Sequence, residues 1–84
     1  MSDPITLDYE VEVNGEKITS LTMRRPKVRD DLAMDSHKGT AAEKEIFLFA
    51  NLCDVSMDVI CDLDQGADYT KLQEKYSGFF GSKK

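Results

Sequence analysis

The sequence predicts an α+β fold: an N-terminal β-hairpin followed by three to four short α-helices, forming a single domain over residues 1–84. Three observations carry that prediction. Residues 5–13 alternate between apolar and polar side chains, the period of a half-buried strand. Asn14-Gly15 follows at once, and this dipeptide supplies the two positive φ angles that a tight hairpin turn needs. From Pro26 onward, apolar residues fall at helical spacings and are interrupted by loop-forming residues around Gly39 and Gly66.

The hairpin is expected over about 5–23. Its first strand places Ile5, Leu7, Tyr9, Val11 and Val13 on one face and Thr6, Asp8, Glu10 and Glu12 on the other. A two-residue turn pairs Val11 with Ile18 and Tyr9 with Ser20, which leaves Leu21 on the polar face. A bulge near Thr19-Ser20 restores Leu21 and Met23 to the core side, and a solvent-facing Leu21 is the competing reading. Arg24-Arg25-Pro26 ends the hairpin, because proline lacks a ladder donor but suits a first helical turn.

A first helix is expected over about 26–35, with Val28 and Leu32 on one face. The second, over about 40–54, has Thr40 as N-cap and Glu43 at capping-box spacing. Its apolar set, Ile46, Phe47, Leu48, Phe49, Ala50, Leu52 and Cys53, covers more than one narrow stripe. A helix of that kind lies central in a core or is partly covered by another chain. Ser56 caps a third helix over about 56–63, with Val59, Ile60 and Leu63 inward, and Asp64-Gln65-Gly66 breaks it. The last helix, over about 67–79, carries Tyr69, Leu72, Tyr76 and Phe79 at spacings of three and four. Gly78 and Gly81 mark its end, and Ser82-Lys83-Lys84 reads as a solvated tail.

Composition narrows the function. With 40% hydrophobic and 32% charged residues the chain has the balance of a folded soluble protein. A net charge of −5 argues against unaided binding to nucleic acid or to an anionic membrane. No stretch reaches the ~20 apolar residues of a bilayer span. Met1-Ser2-Asp3-Pro4 lacks the basic start and apolar core of a secretory signal, so a cytoplasmic protein is expected. Cys53 and Cys61 make no disulfide framework and read as reduced, small apolar residues on helix faces.

No constellation for chemistry emerges. His37 is the only histidine, and it sits in a loop without an orienting partner. The cysteines lack the close pairing and further ligands of a zinc site. A calcium loop counted from Asp62 fails, because Ala67 stands where glycine is needed and Gln73 where glutamate is needed. Asp54, Asp58, Asp62, Asp64 and Asp68 then read as a solvated acidic face, with weak DNA mimicry as the sharper alternative. Arg24, Arg25, Lys27 and Arg29 read as a solvated turn with ion pairs to Asp30 and Asp31, or as a docking patch for an acidic segment. Phe79 fits the stripe of the last helix; Phe80 is out of phase, and either folds back or offers an anchor to a partner. No catalytic residue, metal ligand or cofactor is expected, and the chain is read as a non-enzyme.

Taken in order, Ile5-Thr6-Leu7, the Asn14-Gly15 turn, Leu21-Thr22-Met23-Arg24-Arg25-Pro26 with Asp30, and the apolar central helix form one set of marks. Asp62-Leu63-Asp64, Asp68-Tyr69 with Leu72-Gln73, and Gly78-Phe79-Phe80 complete it. This set resembles the tail assembly chaperones of Mu-like and related contractile-tailed phages, with Met23 where the family usually shows leucine. The resemblance implies a protein of the host cytoplasm that coats the tape measure protein, recruits tail tube subunits and is absent from the finished virion. It also implies a partner that is a frameshifted long form of the same chain; a homo-oligomer is expected separately, because a domain of 84 residues buries a modest fraction of its surface alone. Codons for Ser82-Lys83-Lys84 or Gly78-Phe79-Phe80 can contain a slippery run. The expected partner contacts are part of Ile46, Phe47, Phe49 and Leu52, together with Phe80, the rest of that set being core. The alternatives are an unrelated small acidic phage interaction protein, such as a host-protein inhibitor, an acidic DNA mimic, and a small enzyme.

Overall fold

A computed structural model describes residues 4–81. Asn14 and Gly15 both have positive φ, 55° and 79°, so the turn is the one whose twist matches a hairpin. It joins β1 (Ile5–Val13) to β2 (Glu16–Leu21), antiparallel. Near the turn the register is tight, with Val13 opposite Glu16 and Val11 opposite Ile18. Farther on, Thr6 faces Ser20 and Ile5 faces Leu21. The residues from Leu7 to Glu10 on β1 therefore oppose Thr19 alone. The expected irregularity exists, but the extra residues lie on β1, across from Thr19-Ser20 rather than at it. Leu21 is buried, which removes the solvent-facing alternative. Tyr9 is turned out of the apolar face and is 62% exposed.

The bulge frees backbone donors, and a residue far along the chain takes them up. The Asp8 N–H donates to Asp68 Oδ1 at 2.7 Å and the Tyr9 N–H to Asp68 Oδ2 at 3.0 Å. Asp68 is fully buried. Lys71 lies 3.7 Å from its Oδ1 and 3.1 Å from Asp8 Oδ1, and donates to the Thr6 carbonyl at 2.8 Å. A buried carboxylate is tolerable only with such donors and a counter-charge.

Beyond Leu21 the chain runs extended. Met23 is completely buried, and the Arg24 N–H donates to the Leu52 carbonyl at 3.1 Å. Helix α1 is Val28–Ser36, two residues later than Pro26. Lys27 stays extended as N-cap because the Asp30 carboxylate reaches back and accepts its N–H at 2.7 Å. Asp30 is buried and Met34 packs against the core, so Val28 and Leu32, which share one face as expected, lie on the outer side of α1.

Helix α2, Ala41–Cys53, starts with the expected capping box: Thr40 Oγ1 accepts the Glu43 N–H and Glu43 Oε1 accepts the Thr40 N–H. Asp54 closes it in the left-handed conformation, φ 58°. Leu48, Phe49, Ala50, Leu52 and Cys53 fill the centre of the core. Helix α3, Met57–Cys61, follows Ser56 as N-cap, although the Ser56 side chain makes no capping bond. Val59, Ile60 and Leu63 are buried as expected.

The last helix begins earlier than residue 67, with a wide π turn over Gln65–Tyr69 that runs directly into α4, Thr70–Gly81. The Asp64 carboxylate caps the π turn through the Ala67 N–H. This turn carries Asp68 inward to the β1 bulge. Gly78 does not end the helix, which runs through it to Gly81, the other expected terminator. The sequence readings of Met1–Asp3 and of the Ser82–Lys84 tail lie outside the described residues. Among the described residues no helix is long and apolar enough to cross a membrane.

Candidate partner-docking surface

The groups most able to do chemistry are occupied elsewhere. The His37 ring stacks on Phe47, with centroids 4.3 Å apart and planes 9° from parallel. Cys53 is buried, and burial pushes its thiol up to about 11; Cys61 is exposed. The Tyr69 hydroxyl donates to Glu45 Oε1 at 2.6 Å, and burial, reinforced by that carboxylate, raises its pKa. Among the described residues no group of three His, Cys, Asp or Glu side chains could hold a metal ion.

The basic cluster after β2 divides in two. Arg24 donates both terminal nitrogens to Asp30, each at 2.8 Å. The guanidinium, then the Lys27 N–H, hold the Asp30 carboxyl down to about 2 against the opposing effect of burial. That pair is structural: it fixes the turn into α1. The remaining cations lie outward. Arg25 sits over the Phe79 ring at 5.1 Å and donates to the Phe79 carbonyl, and Lys75 approaches the same ring at 5.8 Å. Lys27 and Arg29 border a small depression beside Arg24.

Between α1 and α4 this leaves a groove of about 430 Å³ lined by Pro26, Lys27, Val28, Asp31, Leu48, Tyr76 and Phe80. Its floor is rigid. Tyr76 packs edge-on against Phe49 at 5.6 Å and against Phe80 at 5.0 Å. Burial, then the charge of Asp31, raises the Tyr76 pKa. Its rim is apolar and exposed: Val28 at 79%, Phe80 at 59%, and Leu32 at 63% one turn along α1. Exposed Val28 and Phe80 at one concavity, with Leu32 exposed farther along α1, form a surface suited to a partner.

The sequence-predicted contact residues are dispersed by the fold. Phe49 and Leu52 are fully buried and belong to the core: Phe49 packs against Tyr69 and Tyr76, and the Leu52 carbonyl accepts the Arg24 N–H. Ile46 is half-buried and borders a separate recess with Ile60, Leu63 and Tyr69. Phe47 is half-buried beneath His37. Phe80 alone of the five stands at the groove. Sequence reasoning missed Val28 and Leu32 as surface, since their helical spacing reads equally well as inward or outward. The available signal was Asp30, whose pairing with Arg24 and capping of Lys27 commits the opposite side of α1 to the core.

A family model described as phage tail assembly chaperone proteins, E, or 41 or 14, matches residues 4–81. The chain belongs to this family. No curated protein and no solved structure matches it. The match runs from β1 to the end of α4, so the groove and the Asp68 anchor of this tail assembly chaperone both lie inside the family region.

Proposed function

We propose that this tail assembly chaperone works by protein–protein binding alone, without catalysis. In the host cytoplasm it covers apolar stripes of the phage tape measure protein, holds that protein soluble and recruits tail tube subunits. It then leaves as the tube grows, so it is not part of the virion. Further copies of the chain, and a frameshift-extended form of it, share the task. The observation that carries this reading is the exposed pair Val28 and Phe80 at the α1–α4 groove, with Leu32 also exposed one turn along α1. A long helical partner exposes apolar stripes, and a small acidic domain with surplus apolar surface can mask them while adding solubility. Many weak copies along one rod bind with avidity yet are displaced singly by a better-fitting subunit.

The test is co-expression with the tape measure protein of the same phage, followed by affinity purification. Soluble tape measure protein that co-purifies with an excess of chaperone is the expected result. Insoluble tape measure protein with no chaperone bound, with the long form also present, overturns the reading. Coding DNA without a slippery run at either candidate position removes the frameshift component and nothing else.

A further inference from the structure

At its Pro26–Lys27 end the groove meets a cluster of basic side chains, although the chain as a whole is acidic. The protein carries a net −5, yet Lys27 lines the groove and Arg25, Arg29 and Lys75 adjoin it. Among the described residues the ion pairs engage Lys17, Arg24 and Lys71, and none of these four. Asp31 is the acid on the groove wall. The cations therefore stand near exposed Val28 and Phe80 without a carboxylate partner among the described residues, Arg25 and Lys75 lying over the Phe79 ring instead.

Resting on the reading of this groove as a docking surface, we propose that it receives an amphipathic helix whose apolar stripe is flanked by acidic side chains. The exposed apolar residues take the stripe, and Lys27, Arg29 and the outer faces of Arg25 and Lys75 meet the flanking carboxylates. Charge of this kind selects and steers a partner more than it adds affinity. At physiological salt the screening length is about 8 Å, so charges far from the groove count for little when a helix is seated in it.

The test uses two synthetic amphipathic helices that share one leucine stripe, flanked in one by glutamate and in the other by lysine. Net charge alone favours the lysine peptide, so the two ideas predict opposite orders. The glutamate peptide is expected to bind about tenfold more tightly to the whole chain at physiological salt, through a few partly exposed charge pairs. Lys27→Glu with Arg29→Glu should reverse that order. Both positions lie at the N-terminal end of α1, where acidic side chains suit the helix dipole, so the variant should keep its circular dichroism spectrum. Phe80→Ser should weaken both peptides. Equal binding, preference for the lysine peptide, or binding of neither overturns the proposal. So does salt-sensitive self-association, by sedimentation without peptide, that the double variant abolishes, because the occupant is then a second copy. Each of these failures leaves co-purification with the tape measure protein standing or falling on its own result.

Discussion

Replacing Asp68 by alanine should be among the most damaging single changes available in this fold. Its carboxylate is fully buried and takes two backbone donors from the β1 bulge, at 2.7 and 3.0 Å, with Lys71 at 3.7 Å. A hydrogen bond to a charged group contributes about 1.5–3 kcal/mol, and an unsatisfied buried donor costs about 1–3 kcal/mol. Asp8 and Tyr9 are themselves exposed residues, so water recovers part of that loss. The expected destabilisation is roughly 2–4 kcal/mol. A domain of 84 residues has about 4–12 kcal/mol in total, so the variant loses a large fraction of it. Urea unfolding followed by circular dichroism measures the change, and amide exchange should accelerate at Asp8 and Tyr9. Asp68→Asn keeps the shape and one acceptor but turns an amide donor toward the second N–H, so its loss should be smaller. A loss under about 0.5 kcal/mol for alanine, within the range of an ordinary surface substitution, would refute the anchoring role. An asparagine variant less stable than alanine would refute the hydrogen-bond account of it.

Three further outcomes follow from the same geometry. The Asp30 pKa is held at about 2, below its unfolded value of 3.8, so its contribution is complete above pH 4 and is lost as pH falls toward 2. With Arg24 about half exposed, screening reduces that contribution to about 1 kcal/mol, and Asp30→Asn should flatten the stability profile in this acid window. Phe80→Ala should lower stability by no more than about 1 kcal/mol, the scale of its edge contact with Tyr76, while weakening tape measure binding severalfold; equal loss of both would place Phe80 in the core instead. A thiol reagent at neutral pH should label Cys61 quickly and Cys53 only at the rate of unfolding, since burial holds the Cys53 thiol at about 11.

What could be read from the sequence was local. The Asn14-Gly15 turn and the Thr40–Glu43 capping box involve residues within four positions of each other, and both form as expected. The hairpin's parity conflict at Leu21 was visible too, because alternation is a property of neighbours. Its resolution was not. The bulge lies on β1 because Asp68, some 60 positions away, accepts the donors that the bulge exposes. The π turn that delivers Asp68 has no local signature among Gln65, Gly66 and Ala67. The docking surface divides along the same line. Phe80 was found because it breaks the phase of its own helix, whereas Val28 and Leu32 keep phase and differ from core residues only in what α1 packs against.

The outward set of α1 is consistent with a weak, repeated contact rather than with poor packing. Asp30 and Met34 already commit one side of the helix to the domain, so Val28 and Leu32 are left uncovered by the described residues. Fully burying such side chains contributes about 1.5–3 kcal/mol each, and here Val28, Leu32 and Phe80 still have most of their surface to lose. Association costs at least about 4 kcal/mol in lost freedom, which consumes most of that gain. On the proposed reading one copy at one groove would then bind weakly, and the few charge pairs at the rim would decide which helix is accepted. On the proposed function this weakness is useful. A chaperone that gripped each stretch of its client tightly would block the tube subunits, while one that binds weakly at many places can protect the whole rod and yield any part of it.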